Sequence, residues 1–152
     1  MKKYELTKET KVIGGKTLFR IRALRSFGDI KAGDLGGFIE NERNLSHEGN
    51  AWVVGNARVG GNALVGSDTR FNGDGLINSN DDYLCEKGLG SHNRSASFFK
   101  CKDGHIHVLC GCFDGNLDEF ENKVKEEHGN SKYAKEYLGF IEVVKTHFEV
   151  RQ

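Results

Sequence analysis

Three groups of residues have types and spacings suited to chemistry. The first is Gly88-Leu89-Gly90-Ser91-His92-Asn93-Arg94-Ser95. Glycine lets backbone N–H groups approach an anion, and Ser91, His92, Arg94 and Ser95 carry donors suited to phosphate oxygens. Arg94 is the natural centre of such a site, with Lys87 and Lys100 adding positive charge nearby. The expected chemistry is phosphate or nucleotide binding; the plainer reading is a polar loop ahead of a strand. No Walker-type loop is present, and no dinucleotide fingerprint follows a strand.

The second group is Cys85, Cys101, Cys110 and Cys112 with His105 and His107. These are enough donors for a structural zinc ion. Cys110-x-Cys112 is tighter than the usual knuckle, however, and the other two cysteines stand apart. On a strand, positions 110 and 112 share one face and 105 and 107 the other. The expectation is therefore buried, reduced thiols, with no metal and no cofactor. The third group is His47 beside Glu48, the one base near a possible acyl-transfer groove; the plainer reading is a loop residue. No Ser-His-Asp or Cys-His pairing can be singled out by spacing. The chain is expected not to be an enzyme.

These residues sit in a chain of 152, with 22 basic and 22 acidic side chains, 20 glycines and no proline. Zero formal charge disfavours a general electrostatic nucleic-acid binder. No apolar run reaches membrane-spanning length, and the charged start Met1-Lys2-Lys3-Tyr4-Glu5 has no signal core, so a cytoplasmic protein without membrane contact is expected. Residues 1–35 hold nine basic and four acidic side chains, a local surplus suited to an anionic partner or to a solvated strand face.

From Gly49 the chain repeats every six residues. Gly49-Asn50-Ala51-Trp52-Val53-Val54 is followed by Gly55-Asn56-Ala57-Arg58-Val59-Gly60 and Gly61-Asn62-Ala63-Leu64-Val65-Gly66, then by two looser copies to Asn78. One slot holds Val53, Val59, Val65, Phe71 and Ile77; a small residue precedes it by two. Helical periodicity cannot keep five such copies on one face. The pattern resembles the hexapeptide-repeat family, which implies a left-handed parallel β-helix with three hexads per coil. Phe27–Ile39 is expected to form an irregular first coil, and Val12–Leu18 a hairpin around Gly14-Gly15.

Beyond Asn78-Ser79-Asn80-Asp81-Asp82 the pattern changes. Asp82–Cys85, Ser95–Cys101 and His105–Cys110 are expected strands, with Asp103-Gly104 turning between the last two. Asn116 or Asp114 caps a helix bearing Leu117, Phe120 and Val124 and ending at Gly129. A second helix follows Ser131 and buries Tyr133, Ala134, Tyr137, Leu138, Ile141, Val144 and Phe148. The expected architecture is mainly β plus α+β: a hairpin and short left-handed parallel β-helix over residues 1–79, then a small ββ(β)αα module over 80–152.

Gly90–Phe99, Cys110-Gly111-Cys112-Phe113, Leu117–Phe120 and Tyr133–Tyr137 resemble a C-terminal module of uncharacterised phage and prophage proteins. Arg22–Arg25 and Phe27–Glu40 resemble the front of the same proteins. The resemblance implies a mobile-element origin and a bacterial host cytoplasm. It suggests a non-enzymatic inhibitor of a host defence complex, as an anti-CRISPR protein is, acting by protein contacts. A nucleotide second-messenger sponge using residues 90–95 and a hexapeptide-repeat acyltransferase-like enzyme are the alternatives. Trp52, Arg58, Leu64 and Arg70 share one slot of successive hexads, expected to face outward. With Arg20 and Arg22 they form the expected interface for a defence protein or for a second copy in a homo-oligomer. Contact of Trp52 and Leu64 with the protein's own hairpin is the other reading.

Overall fold

The computed structural model describes residues 2–90 and 94–149. The chain divides into two compact units, Met1–Asn80 and Asp81–Gln152.

The first unit begins with a long hairpin, β1 (Tyr4–Ile13) and β2 (Lys16–Ala23). Gly14 and Gly15 both take positive φ, 58° and 79°. That is the backbone a tight two-residue hairpin turn demands. β2 pairs antiparallel with β3 (Leu35–Ile39), setting Phe19 opposite Ile39. Beyond β3 the sheet becomes parallel. β5 (Arg58–Val59) pairs with β3, and β7 (Leu76–Ile77) pairs with β5. A separate parallel pair joins β4 (Trp52–Val53) to β6 (Arg70–Phe71).

The left-handed parallel β-helix expected over residues 1–79 is not the fold. The unit has a five-stranded mixed sheet, ordered β1-β2-β3-β5-β7, beside a two-stranded one, and no closed solenoid. The hexads do impose a rhythm. Arg58 lies opposite Leu76 and Trp52 opposite Arg70, each partner eighteen residues on. The slot Val53, Val59, Val65, Phe71 and Ile77 is buried throughout, as are Ala51, Ala57 and Ala63. Thirty residues of repeat, however, fall short of two full coils. Each parallel strand holds only two residues, whereas the hairpin strands hold ten and eight. The long antiparallel ladder dominates the unit, and the hexads extend its edge.

Close packing leaves no room at Gly37, where an added Cβ would lie 2.5 Å from the Ala57 carbonyl oxygen and 2.6 Å from Val53 Cγ1. Two buried polar side chains of the unit bond to backbone carbonyls. Asn44 donates to the Ala63 carbonyl at 2.9 Å. The fully buried Lys3 ammonium donates to the Ala51 carbonyl at 2.7 Å and lies 4.9 Å from the centre of the Phe27 ring. Burial, followed by repulsion from Arg25 and Arg70, lowers the Lys3 pKa to about 8.

The second unit is a four-stranded antiparallel sheet with two helices. Its strands are β8 (Tyr83–Leu89), β9 (Arg94–Lys100), β10 (Ile106–Cys110) and β11 (Phe113–Asn116), in the order β11-β10-β9-β8. α1 (Leu117–His128) starts at Asn116, whose side chain accepts from Glu119 N while Glu119 bonds back to Asn116 N. This reciprocal cap satisfies two N–H groups that the first turn leaves unpaired. α2 (Lys132–His147) is capped by Ser131. Leu117, Phe120 and Val124 of α1, with Ala134, Tyr137, Ile141 and Val144 of α2, cover Ala96, Phe98, Ile106 and Val108 of the sheet. Among the described residues no helix is long and apolar enough to cross a membrane.

Candidate functional site

The strands' two-residue alternation decides which predicted residues meet. Ala96 and Phe98 face the helices; Arg94 has the same parity and stands on that side, at the start of β9. Ser95 has the opposite parity. Arg94 and Ser95 therefore stand on opposite faces of β9. Ser91 and His92 of the phosphate-loop expectation lie outside the described residues.

Arg94 instead lines a cavity of about 650 Å³ between the sheet and the helices. Cys110 and Phe113 from the β10–β11 hairpin line it, as do Phe120, Lys123 and His128 from α1 and Tyr137 from α2. That volume suits a small organic ligand. Phe113 and Phe120 lie 5.1 Å apart by ring centres, and Phe120 meets Tyr137 edge-on at 5.8 Å. The His128 ring stacks on Tyr137 at 5.6 Å, tilted by 24°. Aromatic surfaces thus surround one guanidinium.

Gly111 makes this arrangement possible. It has φ 59° in the turn between β10 and β11, and a Cβ there would collide with the Arg94 guanidinium. Only glycine combines that turn with so close an approach.

The charges of the cavity are unevenly matched. Lys123 pairs with Glu127 at 3.2 Å, and Asp114 pairs with His107 at 2.5 Å. Burial raises the Cys110 pKa, and the nearby Tyr137 hydroxyl and Arg94 only partly oppose it. Burial first, then Cys110, pushes Tyr137 up to about 12. Both groups are neutral at pH 7, so neither balances Arg94. Among the described residues no carboxylate pairs with that guanidinium. A protonated thiol is also a poor nucleophile.

The cysteines do not gather into one set. Cys110, buried, and Cys112, exposed in the turn, both border the cavity, Cys101 lies apart from them, and Cys85 contacts Ser97 at 3.9 Å. Among the described residues, the metal-binding donors that converge are those of Cys101, His105 and His107, all within 4.8 Å of one another.

His47 is occupied structurally. Its Nδ1 accepts from Lys3 N at 3.1 Å, its Nε2 faces Glu42 at 3.2 Å, and its ring stacks on Tyr4. The carboxylate beside the ring is Glu42, not Glu48. Of the expected interface residues, Arg20 pairs with Glu9 at 2.7 Å, Arg22 with Glu5 and Arg70 with Asp29. Trp52, expected to face outward, is 1% exposed and packs edge-on against Phe27 and Tyr4. The hexad slot it occupies turns inward at the β4 end. Arg58 is half-buried in β5, and Leu64 is exposed.

No family model matches the chain, and no curated protein matches it.

The sequence singles out Arg94 but not the residues that share its cavity. Lys123, His128 and Tyr137 read as ordinary helix positions. The one local signal was Gly111 between two cysteines, a turn glycine beside a buried strand end.

Proposed function

We propose that the protein is a non-enzymatic binding protein whose C-terminal unit captures a small phosphorylated ligand with an aromatic ring, a nucleotide by chemical class. The single observation behind this reading is the Arg94 guanidinium, standing without a carboxylate partner among the described residues in an aromatic-walled cavity. Arg94 pairs with the phosphate, and the half-buried Phe113 ring, backed by Phe120, takes the base. The resemblance to phage and prophage proteins supplies the setting: sequestration of a nucleotide signal used by a bacterial defence system. The surface expected to dock a defence protein is largely engaged within the N-terminal unit, through Trp52, Arg20, Arg22 and Arg70, so the ligand reading takes precedence.

A thermal-shift panel of linear and cyclic nucleotides, with inorganic phosphate alongside, tests the reading. At least one nucleotide should raise the melting temperature of the wild-type chain, and Arg94→Ala should remove the rise. A flat response across the panel sinks it.

A further inference from the structure

The face of the C-terminal sheet opposite the helices holds a second cluster. Cys101 N donates to the His105 carbonyl at 2.9 Å, closing the turn Lys102-Asp103-Gly104 and setting Cys101 across from His105. His107 follows two residues along β10, on the same side as His105. Cys101 is buried, while the His105 and His107 side chains are 38% and 21% exposed. The donors thus stand at a wall with one side open to solvent.

The imidazoles are arranged end to end. His105 Nδ1 meets Asp103 Oδ1 at 2.5 Å, and His107 Nε2 meets Asp114 Oδ1 at 2.5 Å. Between the rings, His105 Nε2 and His107 Nδ1 lie 3.1 Å apart. These three contacts need three protons, and two neutral imidazoles bring only two. A proton on each outer nitrogen satisfies the carboxylate beside it. The inner nitrogens then face each other as lone pairs, an arrangement that calls for a cation.

A transition-metal ion meets that need. Carboxylate partners on the outer nitrogens fix the tautomer and orientation that metal-bound histidines use. Two nitrogens on one tetrahedral zinc ion lie about 3.3 Å apart, from metal–nitrogen bonds of about 2.0–2.1 Å. The observed separation of 3.1 Å is close to this. One donor atom from each of Cys101, His105 and His107 lies within 4.8 Å of the other two, so a shift of about 1 Å brings sulfur to bonding distance.

The geometry points to a metal site formed by Cys101 Sγ, His105 Nε2 and His107 Nδ1, taking a divalent ion of the zinc class and leaving its fourth position to solvent. Asp103 and Asp114 are positioning residues for the two imidazoles. One sulfur and two nitrogens suit zinc, with cobalt(II) as its spectroscopic substitute. The site is separate from the Arg94 guanidinium, although Asp114 also borders the cavity.

Cobalt(II) titration of the full chain under reducing, oxygen-free conditions tests it. One equivalent should bind, producing thiolate-to-cobalt charge transfer in the near ultraviolet and visible bands of tetrahedral intensity. Zinc should displace it. Cys101→Ser should abolish the charge-transfer band, while His105→Gln should weaken binding at least tenfold. Asp103→Asn, on the exposed turn, should weaken it about tenfold with the band shape preserved. Absence of stoichiometric binding overturns the proposal. So does a charge-transfer band that survives Cys101→Ser and disappears with Cys112→Ser, since the exposed thiol would then be the ligand.

Discussion

The two units use their charged and polar side chains differently. In the N-terminal unit the arginines of β2 pair with glutamates of β1, Lys3 bonds buried carbonyls, and His47 is held at both ring nitrogens. Its short strands carry few backbone pairs each, so side chains complete the structure. The C-terminal unit has a regular antiparallel sheet and two capped helices whose apolar faces close the core. It tolerates groups the fold does not require: a guanidinium among aromatic rings, and two imidazoles facing each other. A scaffold completed by its backbone and apolar core leaves polar side chains available for ligands.

The same substitution should act in opposite directions in the two units. Gly37→Ala forces a methyl group into the Ala57 carbonyl and Val53, where strand backbone cannot yield. It should cost about 3 kcal/mol. Denaturant unfolding followed by Trp52, the sole tryptophan, reads this directly; an unchanged midpoint would mean that the first unit is loosely packed. Gly139→Ala sits on α2 with nothing within 4 Å of the new methyl group. It should stabilise by about 0.5–1 kcal/mol by restoring helix propensity. Helical circular dichroism during unfolding tests this, and a loss of stability would contradict the openness of that face.

Lys3 sharpens the contrast through pH. Its folded pKa, about 8, lies below the ordinary lysine value of 10.5. Between those values the unfolded chain binds more protons, so stability rises with pH as the buried ammonium loses its charge. From pH 7 to 8 the gain is roughly 0.4 kcal/mol. Lys3→Met should show no such rise; equal slopes in both proteins would place the ammonium in water.

The sequence announced its elements better than its topology. Asn116, Gly129 and Ser131 bound the helices because caps are local chemistry, and Gly14-Gly15 marks its turn for the same reason. The hexads indicate the buried slots of Val53 and Ala51 and their counterparts, since those follow from spacing, but not the burial of Trp52 in the slot expected to face outward. They do not indicate what a two-residue strand pairs with, which is settled by the long β1–β2 ladder. β11 escaped notice because Phe113-Asp114-Gly115-Asn116 has the composition of a turn. Arg94 stood out as a lone cation before a strand, but its companions were chosen from adjacent positions that alternate between faces. Cys101, His105 and His107 were visible in principle. The Lys102-Asp103-Gly104 turn sets Cys101 across from His105, and comparing parity only within β10 hid that register.

Isothermal titration of the full chain with a nucleoside monophosphate and with its dephosphorylated nucleoside tests the central claim most directly. The account predicts one site for the phosphorylated compound, at least tenfold weaker binding of the nucleoside, and reduction of the first to the second by Arg94→Ala, since a charge-assisted hydrogen bond contributes about 1.5–3 kcal/mol. Equal affinity for the two compounds, or phosphate-dependent binding that persists in Arg94→Ala, would contradict it.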